Sequence, residues 1–422
     1  MKAIPHEPAL DNTLALLREG YEFIGRRCDR LNTDIFVTRL LLKRAICVRG
    51  ASAAEMFYGG DRFTRNGAMP QTTLRLLQDK GSVQGLDDGA HRHRKAMFLS
   101  FLLAADQVER LRRIFREEWL EALRHWQRRG EISLFEEVNL ILTRSVARWS
   151  ALPLDEISAE GLCRELSGMV ENAGGFGPST WLALWRRRRT ERFVGSVVRR
   201  IRSGELTLGE NAPIRIIAEH RDETGNLLEI SDAAVEIINI LRPVVAIGRY
   251  IVFTAVALNE QQQWADRFAA GDEASLEAFA EEVRRLYPFF PFIGGVAQET
   301  FEWHGYRIDK GAWVLLDLHG TNHDPRRFPA PDTFSLDRDI GWRMQGFDFV
   351  PHGGGDASVT HRCPGEAVTV ALMKEAIRVL TRSMAYEITD KVSPLDLSRI
   401  PALPKNDLRL RDIRRSDTGA GQ

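Results

Sequence analysis

The sequence predicts one mainly α-helical domain, residues 1–422, with small β-sheets. Apolar residues recur at helical spacing in long segments, at residues 106–128, 135–151, 181–202 and 276–287. Strand-like sequence is confined to residues 34–48, to 299–318 with a hairpin turn at His304-Gly305, and to a short piece around Tyr386. No Pro/Gly/Ser-rich linker and no internal repeat divides the chain. We expect only a tail, from about residue 413, to be disordered.

The composition is that of a soluble globular protein, with 44% hydrophobic and 27% charged residues. Lys plus Arg and Asp plus Glu both number 58, so the formal net charge is zero. The protein as a whole would therefore not attract nucleic acid or anionic lipid electrostatically, and any basic site must be local. The four arginines at residues 186–189 are expected to lie around the solvent-exposed face of a helix. The four cysteines lie far apart, which argues against disulfides or a zinc knuckle. Without a secretory signal pattern at the N-terminus, the expected location is the cytoplasm.

A long apolar helix is predicted after Ser231, a suitable N-cap. Polar residues interrupt it too often for a membrane span, so it is expected to be buried. Pro243 removes one backbone hydrogen bond and frees the carbonyl of Asn239. Arg242 must find an anion in these apolar surroundings. Glu236 lies six residues back and off the same helix face, so both a structural ion pair and an external carboxylate remain open.

The strongest local signal is GFDFVPHGGGDASVTHRCPGEAVTVALMKEAIRVLTRSM near the C-terminus. Gly353 to Gly355 do not form a phosphate loop, because no Gly-Lys-Ser/Thr follows. Cys363 precedes Pro364, the expected first residue of an amphipathic helix whose positive end would favour the thiolate. Such a cysteine suits an iron ligand or a nucleophile, and a buried inert cysteine is the alternative.

Three segments in order resemble the cytochrome P450 superfamily: EEVRRLYPFFP with Glu282-x-x-Arg285, then TNHDPRRFPAPDTFSLDR, then the cysteine loop. The resemblance implies a haem b cofactor with Cys363 as the proximal iron ligand. It further implies that Glu282 and Arg285 form a structural core behind the haem, which Arg338 completes. The neighbouring Glu281-x-x-Arg284 fits the same pattern, so the assignment is ambiguous by one residue.

Two departures from the superfamily pattern narrow the resemblance. The loop before the cysteine is longer than usual, and Arg242-Pro243 stands where an acid-alcohol pair is common. With HRCPGE, LRPVVAI, QGLDDGAHRHRK and EVRRLYPFFP, nearly the whole chain resembles the bacterial fatty-acid peroxygenases. That resemblance implies that Arg242, followed by Pro243, binds the substrate carboxylate. It also implies cofactor contacts from His91, Lys95 and Arg362.

Two further residues have both a functional and an ordinary interpretation. Gln84 aligns with a position over the haem and cannot titrate, which favours hydroxylation over decarboxylation; a loop amide bonded to local backbone is the alternative. Phe289 is expected to line the substrate channel, although aromatic residues after a helix are often simple core. Zinc sites built from the histidine pairs are rejected, because no second pair of ligands joins any of them.

The expected reaction is peroxide-driven hydroxylation of long-chain fatty acids at Cα and also Cβ, without an obligatory reductase or ferredoxin. Neither arginine nor proline relays protons, so the substrate carboxylate, clamped by Arg242, would serve as the acid-base group. Tethering that carboxylate beside the iron brings the nearest C–H bonds into reach. The alternatives are a reductase-driven fatty-acid monooxygenase and a non-catalytic haem sensor. No nucleic-acid partner and no membrane span are expected.

Overall fold

The computed structural model describes residues 2–79, 81–175, 177–338 and 346–416. Helices dominate this part of the chain. In chain order they are α1 Thr13–Glu19, α2 Phe23–Leu31, α3 Ala51–Tyr58, α4 Gln71–Leu77, α5 Asp88–Leu102, α6 Ala105–Trp126, α7 Leu134–Ser150, α8 Ala159–Glu171, α9 Pro178–Arg202, α10 Pro213–Ala218, α11 Ile230–Ala246, α12 Gly248–Glu260, α13 Gln262–Ala269, α14 Leu276–Leu286, α15 Leu318–Asn322 and α16 Glu366–Arg378.

Three small sheets lie beside the helices. Their strands are β1 Ile35–Leu40, β2 Lys43–Arg49, β3 Phe63–Thr64, β4 Glu131–Ser133, β5 Phe292–Ala297, β6 Phe301–Trp303, β7 Tyr306–Ile308, β8 Trp313–Asp317, β9 Met384–Ile388 and β10 Arg409–Arg415. The largest sheet has the order β1-β2-β8-β5-β3, the second β4-β10-β9, and the third is the hairpin β6-β7. The mainly α fold with small sheets is therefore confirmed, as is the turn at His304-Gly305, where both residues have positive φ.

The predicted helices form because each buries an apolar stripe. In α6, Leu111, Phe115, Trp119 and Trp126 repeat at four- and seven-residue spacing and are almost completely buried. Helix α7 also has a side-chain cap, since the Ser133 hydroxyl accepts a hydrogen bond from the Glu136 amide at 3.3 Å. The other long segments predicted from the sequence are found as α9 and α14.

The start expected for the disordered tail, about residue 413, is too early. Ile413 is 5% exposed and belongs to β10, which pairs with β9 as far as Arg415. Ordered structure therefore extends through residue 415, because the sheet needs this strand to cover its apolar face. Residues 417–422 lie outside the described part of the chain.

The long apolar helix is buried, as predicted, but it is not continuous. Residues 230–260 are long and apolar enough to cross a membrane, yet 94% of the most apolar window is buried inside the protein. The run starts at Ile230, so Ser231 lies in the first turn rather than at the N-cap. It breaks at Ile247, between α11 and α12, four residues after Pro243. At the break the Ile247 amide donates to the Val244 carbonyl at 3.1 Å, three residues back instead of four, so one tighter turn separates the two helices.

Candidate functional site

The cysteine loop leads into α16 and is shaped by glycine. The Cys363 amide donates to the His352 carbonyl at 2.8 Å. Gly353 has φ +92°, and a Cβ there would lie 3.1 Å from both the Arg362 Cα and the Tyr58 hydroxyl, so a side chain is excluded. Pro364 and Gly365 form a turn and α16 begins only at Glu366, which corrects the expected helix start. The loop therefore holds the sulfur in place before the helix starts.

The sulfur environment differs in one respect from the sequence expectation. Burial raises the pKa of the Cys363 thiol, and the backbone N–H of Gly365 opposes this only in part. The start of α16 is thus not sufficient to make a thiolate. A cation bound at the sulfur would supply the missing stabilisation.

Behind the loop, Glu281 and Arg284 form a buried ion pair. Arg284 also donates to Glu366 and, at 2.8 Å, to His352 Nδ1. Burial alone would raise the pKa of Glu366, but Arg284 and then the other nearby cations hold it below the usual range. Arg362 donates to Glu366 at 2.7 Å and to the Gly355 carbonyl at 3.0 Å. This network therefore fastens both ends of the cysteine loop to α14.

The adjacent pair, Glu282 and Arg285, serves a different segment. Arg285 donates twice to Glu282, at 2.8 and 2.9 Å, and also to the Pro331 carbonyl at 2.7 Å. Arg338 donates to Glu282 at 3.1 Å and to the carbonyls of the segment 329–333. The predicted grouping of these three residues is therefore found in the structure. Each of the two pairs on α14 thus holds its own segment.

A cavity lies between the cysteine loop and α11–α12. Eight of the predicted site residues line it, namely Arg362, which reaches it from the loop, and seven others. The seven are Gln84, His91, Lys95, Arg242, Pro243, Phe289 and Cys363. Phe289 stacks on Tyr250 with a ring separation of 5.5 Å, so it forms part of the cavity wall. The sequence thus identified most of one continuous site.

Arg242 is 5% exposed and makes only two hydrogen bonds with the described residues. One Nη donates to Asn239 Oδ1 at 3.1 Å and the other to the Leu76 carbonyl at 3.5 Å. Burial, followed by the charge of Arg187, lowers the pKa of Arg242 to about 9. No carboxylate in the described part of the chain forms an ion pair with it. The guanidinium is therefore placed to accept an anion from outside.

Asn239 connects Arg242 to the rest of the wall and was missed in the sequence. Its amide nitrogen donates to Glu236 at 2.9 Å and to Gln84 at 3.3 Å. Glu236 is completely buried and also accepts from Arg94 at 2.9 Å. The available signal was the spacing, because Asn239 lies three residues from both Glu236 and Arg242 and can therefore contact each of them. Glu236 is thus linked to Arg242 by hydrogen bonds through Asn239 and forms no direct ion pair with it.

The basic run on α9 is another point where the structure corrects the sequence expectation. Arg187 is 2% exposed, whereas its neighbours Arg186, Arg188 and Arg189 are not buried. It donates to Glu191 at 2.7 Å and to the Leu76 carbonyl at 2.8 Å. One of the four arginines therefore belongs to the interior, because α9 packs against α4 and α11.

A cluster of basic side chains lies on the other side of the cavity. It consists of Arg65, His91, Lys95 and His361, of which His91 and His361 stack at 4.0 Å. None of these four side chains forms an ion pair with a carboxylate in the described residues, and the buried Nε of Arg65 has no hydrogen-bond partner there. Burial lowers the pKa of Lys95 to about 8 and that of His91 to about 4. Arg65 and His361 had no signal in the sequence.

This donor set fits haem. The two carboxylates of a haem supply the anions that the buried cluster lacks. Lys95 donates to the backbone carbonyls of Thr360 and Arg362, so its ammonium lies beside the cysteine loop. The side chain of Arg362 is already bound to Glu366, which places it with the loop network rather than with His91 and Lys95. Cys363 supplies the soft ligand that iron accepts.

Comparisons with known proteins agree with this geometry. The family model described as Cytochrome P450 matches residues 274–397. A structure of cytochrome P450SP alpha matches with a TM-score of 0.93 and 39% identity, covering 97% of this chain and 100% of that one. Cytochrome P450EX alpha, solved with myristic acid, matches with a TM-score of 0.94 and 37% identity, covering 99% and 100%.

A curated relative matches over a shorter range. The putative cytochrome P450 135B1 of Mycobacterium tuberculosis is 31% identical over 137 residues, which cover 32% of this chain and 28% of that protein. The solved structures, by contrast, match over nearly the whole chain. The chain belongs to the cytochrome P450 superfamily and, within it, to the fatty-acid peroxygenases.

Proposed function

We propose that this protein is a haem-thiolate peroxygenase that uses hydrogen peroxide to hydroxylate long-chain fatty acids at Cα and also at Cβ. One observation carries the proposal. Arg242 lies buried in the wall of the Cys363 cavity without a carboxylate partner among the described residues. A fatty acid is a ligand that supplies a carboxylate and an apolar chain to the same cavity.

Arg242 is suited to hold such a carboxylate. A bidentate charge-assisted pair with a guanidinium contributes roughly 1.5 to 3 kcal/mol. Asn239 fixes one Nη at 3.1 Å, while the contact to Leu76 is long at 3.5 Å and is the easier one to give up. A bound carboxylate would also offset the burial that lowers the pKa of Arg242.

Among the described residues, the side chains beside Arg242 in the cavity wall do not relay protons. Pro243 has no donor, and the amides of Gln84 and Asn239 do not titrate. A carboxylate held by Arg242 can therefore accept a proton from one peroxide oxygen and return it to the other. Arg242 and Asn239 would act as positioning groups for that carboxylate.

Haem would be held by Cys363 Sγ and by the cluster of Arg65, His91, Lys95 and His361. When bound, it supplies the iron centre at which peroxide oxidises the substrate. The chain contains no C-x-x-C-H sequence for covalent attachment, which supports haem b. Phe289 and other apolar residues of the wall exclude water from the substrate chain.

The position of Arg242 also supports hydroxylation at Cα and Cβ. A carboxylate fixed at one point of the wall keeps its own Cα and Cβ close to the reacting centre, and more distant carbons are held less well. Because hydrogen peroxide already carries the two electrons that dioxygen would need, and the carboxylate supplies the proton transfer, no reductase or ferredoxin is needed. We place this activity in the cytoplasm.

The test is product formation from myristic acid and peroxide by the haem-loaded protein. We expect 2-hydroxy acid as the main product, no gain from a reductase with reduced nicotinamide, and near loss of activity in Arg242→Ala with an unchanged haem spectrum. Arg188→Ala, an exposed change on α9, is the matched control. Faster turnover with reductase and dioxygen would favour a monooxygenase, and absence of product under both conditions would favour a haem sensor.

The same preparation tests the iron ligand. With carbon monoxide, the reduced protein should show the red-shifted Soret band of thiolate ligation, and Cys363→Ala should abolish it. Cys28→Ala and Cys163→Ala serve as controls. Loss of the band in either control, but not in Cys363→Ala, would overturn the assignment.

A further inference from the structure

Five exposed leucines lie together at one end of the largest sheet. Leu10, Leu14 and Leu17 precede or belong to α1, and Leu41 and Leu42 form the tip of the β1–β2 hairpin; in that order they are 88, 68, 41, 44 and 80% exposed. We call these five residues the leucine patch. Exposed large apolar side chains are normal when they are scattered, but a cluster of them indicates an interaction surface.

Hydrogen bonds fix the two halves of the leucine patch to each other. The Leu41 amide donates to the Thr13 hydroxyl at 2.6 Å, and the Leu42 amide donates to Asp11 Oδ2 at 2.6 Å. The Asn12 amide donates to the Arg39 carbonyl at 2.8 Å. The start of α1 and the hairpin tip therefore form one surface.

The hairpin tip has an unusual backbone for leucine. Leu40 pairs with Lys43 across the strands, so Leu41 and Leu42 are the two connecting residues, and their φ values are +52° and +61°. A two-residue turn with both φ values positive favours Asn-Gly, whereas a bulky residue there is strained. Strain of this kind indicates a function when nothing in the fold requires it, and these two side chains point to solvent.

The surroundings of the leucine patch are basic. Arg39 and Arg44 face each other across the hairpin, next to Lys43, and all three are exposed. None of them forms an ion pair within the described residues. Two carboxylates of the neighbouring segment already have partners, since Asp11 accepts from the Leu42 amide and Glu19 pairs with Arg27. The chain is neutral overall, so this is a local concentration of unpaired positive charge.

We propose that the leucine patch docks onto an anionic lipid surface. The leucines enter the boundary between headgroups and acyl chains, and Arg39, Lys43 and Arg44 contact the lipid phosphates. A second copy of the chain fits less well, because a symmetric contact would place these cations against their own equivalents. The contact is peripheral, since it involves a hairpin tip and a short helix.

Docking at this place has a consequence for the proposed fatty-acid substrate. Tyr21 directly follows α1, and its hydroxyl donates to the Phe289 carbonyl at 2.5 Å and accepts from the Ala402 amide at 3.0 Å. Phe289 lines the cavity. Tyr21, four residues after Leu17, thus connects this end of the chain to the cavity wall, and a docked leucine patch would lie beside the phase in which long-chain fatty acids dissolve. The docking proposal itself does not depend on the activity.

The test is co-sedimentation of the haem-loaded full chain with vesicles. We expect binding to vesicles of phosphatidylglycerol with phosphatidylcholine, weak binding to phosphatidylcholine alone, and a loss of binding when salt is raised to about 0.5 M. The double variant Leu41→Asn with Leu42→Gly should lower the partition coefficient at least about tenfold. Because Asn-Gly suits this turn, the variant should melt at or above the wild-type temperature, which separates lost binding from misfolding.

Two more variants complete the experiment. Arg39→Gln with Arg44→Gln should weaken binding to anionic vesicles and reduce its salt dependence, whereas Leu227→Asn, at an exposed leucine elsewhere, should bind as the wild type does. Equal binding by wild type and the Asn-Gly variant would overturn the proposal. So would self-association of the wild type without vesicles that the Asn-Gly variant abolishes, since the patch would then be a contact between copies.

Discussion

Arg242 and Arg187 donate to the same backbone oxygen, the carbonyl of Leu76 at the end of α4. The two distances are 3.5 Å from Arg242 and 2.8 Å from Arg187. Carbonyls in the last turn of a helix lack an intrahelical partner, so one group can accept from both side chains. When a substrate carboxylate binds Arg242, the hydrogen bond from Arg187 to the end of α4 remains. Two buried like charges this close also increase the demand for an anion.

The first prediction concerns Arg187. Arg187→Gln should weaken myristate binding about three- to tenfold, because a positive charge beside the carboxylate site is lost. It should also lower the free energy of unfolding by about 3 kcal/mol, since Glu191 and Asp79 lose their buried cation. Spectral titration of the haem and urea unfolding measure the two effects. Arg188→Gln should change neither; equal effects in both variants would contradict the role of Arg187.

The second prediction concerns Asn239 as a positioning residue. Asn239→Ala removes the hydrogen bond that orients Arg242, so we expect kcat/KM to fall about tenfold and the ratio of 2-hydroxy to 3-hydroxy product to decrease. A merely structural effect would lower yield without changing that ratio. Asn259→Ala, at an exposed asparagine at the end of α12, is the control. An unchanged product ratio in Asn239→Ala would show that Asn239 does not position Arg242 for the substrate carboxylate.

The third prediction separates anchoring of the carboxylate from its proton transfer. A short acid, from acetate to heptanoate, can bind Arg242 and leave the rest of the cavity free. Styrene should then be oxidised with peroxide, although it is inert without the acid, and the rate should saturate with acid concentration. The rescue should vanish in Arg242→Ala. Equal epoxidation with and without acid would show that the protein has a proton relay of its own.

The fourth prediction uses Asp317, which is completely buried. Burial raises its pKa from 3.8 to about 7, so the folded protein binds this proton more tightly than the unfolded chain does. Stability should therefore fall as pH rises from about 4 to 7. Asp317→Asn keeps the oxygen that accepts a hydrogen bond from the Gly320 amide at 2.7 Å, and should be about 2 to 4 kcal/mol more stable at pH 8. Urea unfolding at pH 5 and 8 measures this, with Asp309→Asn as an exposed control.

The sequence predicted those parts of the site that local spacing determines. The local pattern singled out Cys363 and Arg242 but left an inert cysteine and a structural ion pair open, and the resemblance to the fatty-acid peroxygenases then assigned both residues to the site. Asn239 was missed because a neutral amide does not stand out as a partner for a buried arginine. His361 lines the cavity and Arg65 lies close to it, but the two come from segments far apart in the chain, and only the fold brings them together. The start of α16 was predicted two residues too early. Proline is common both in the first turn of a helix and in the turn that precedes a helix, and the sequence does not distinguish the two positions.

The two ion pairs of α14 lie on consecutive residues, and this adjacency links two parts of the molecule. Glu282 and Arg285 hold the segment 329–333, while Glu281 and Arg284 hold the loop that carries Cys363. The ion pair that holds the segment 329–333 therefore lies less than one helical turn from the ion pair that holds the loop of the iron ligand. Loosening of that segment should be accompanied by release of haem, so the haem absorbance should report the local unfolding of a region that never contacts the cofactor.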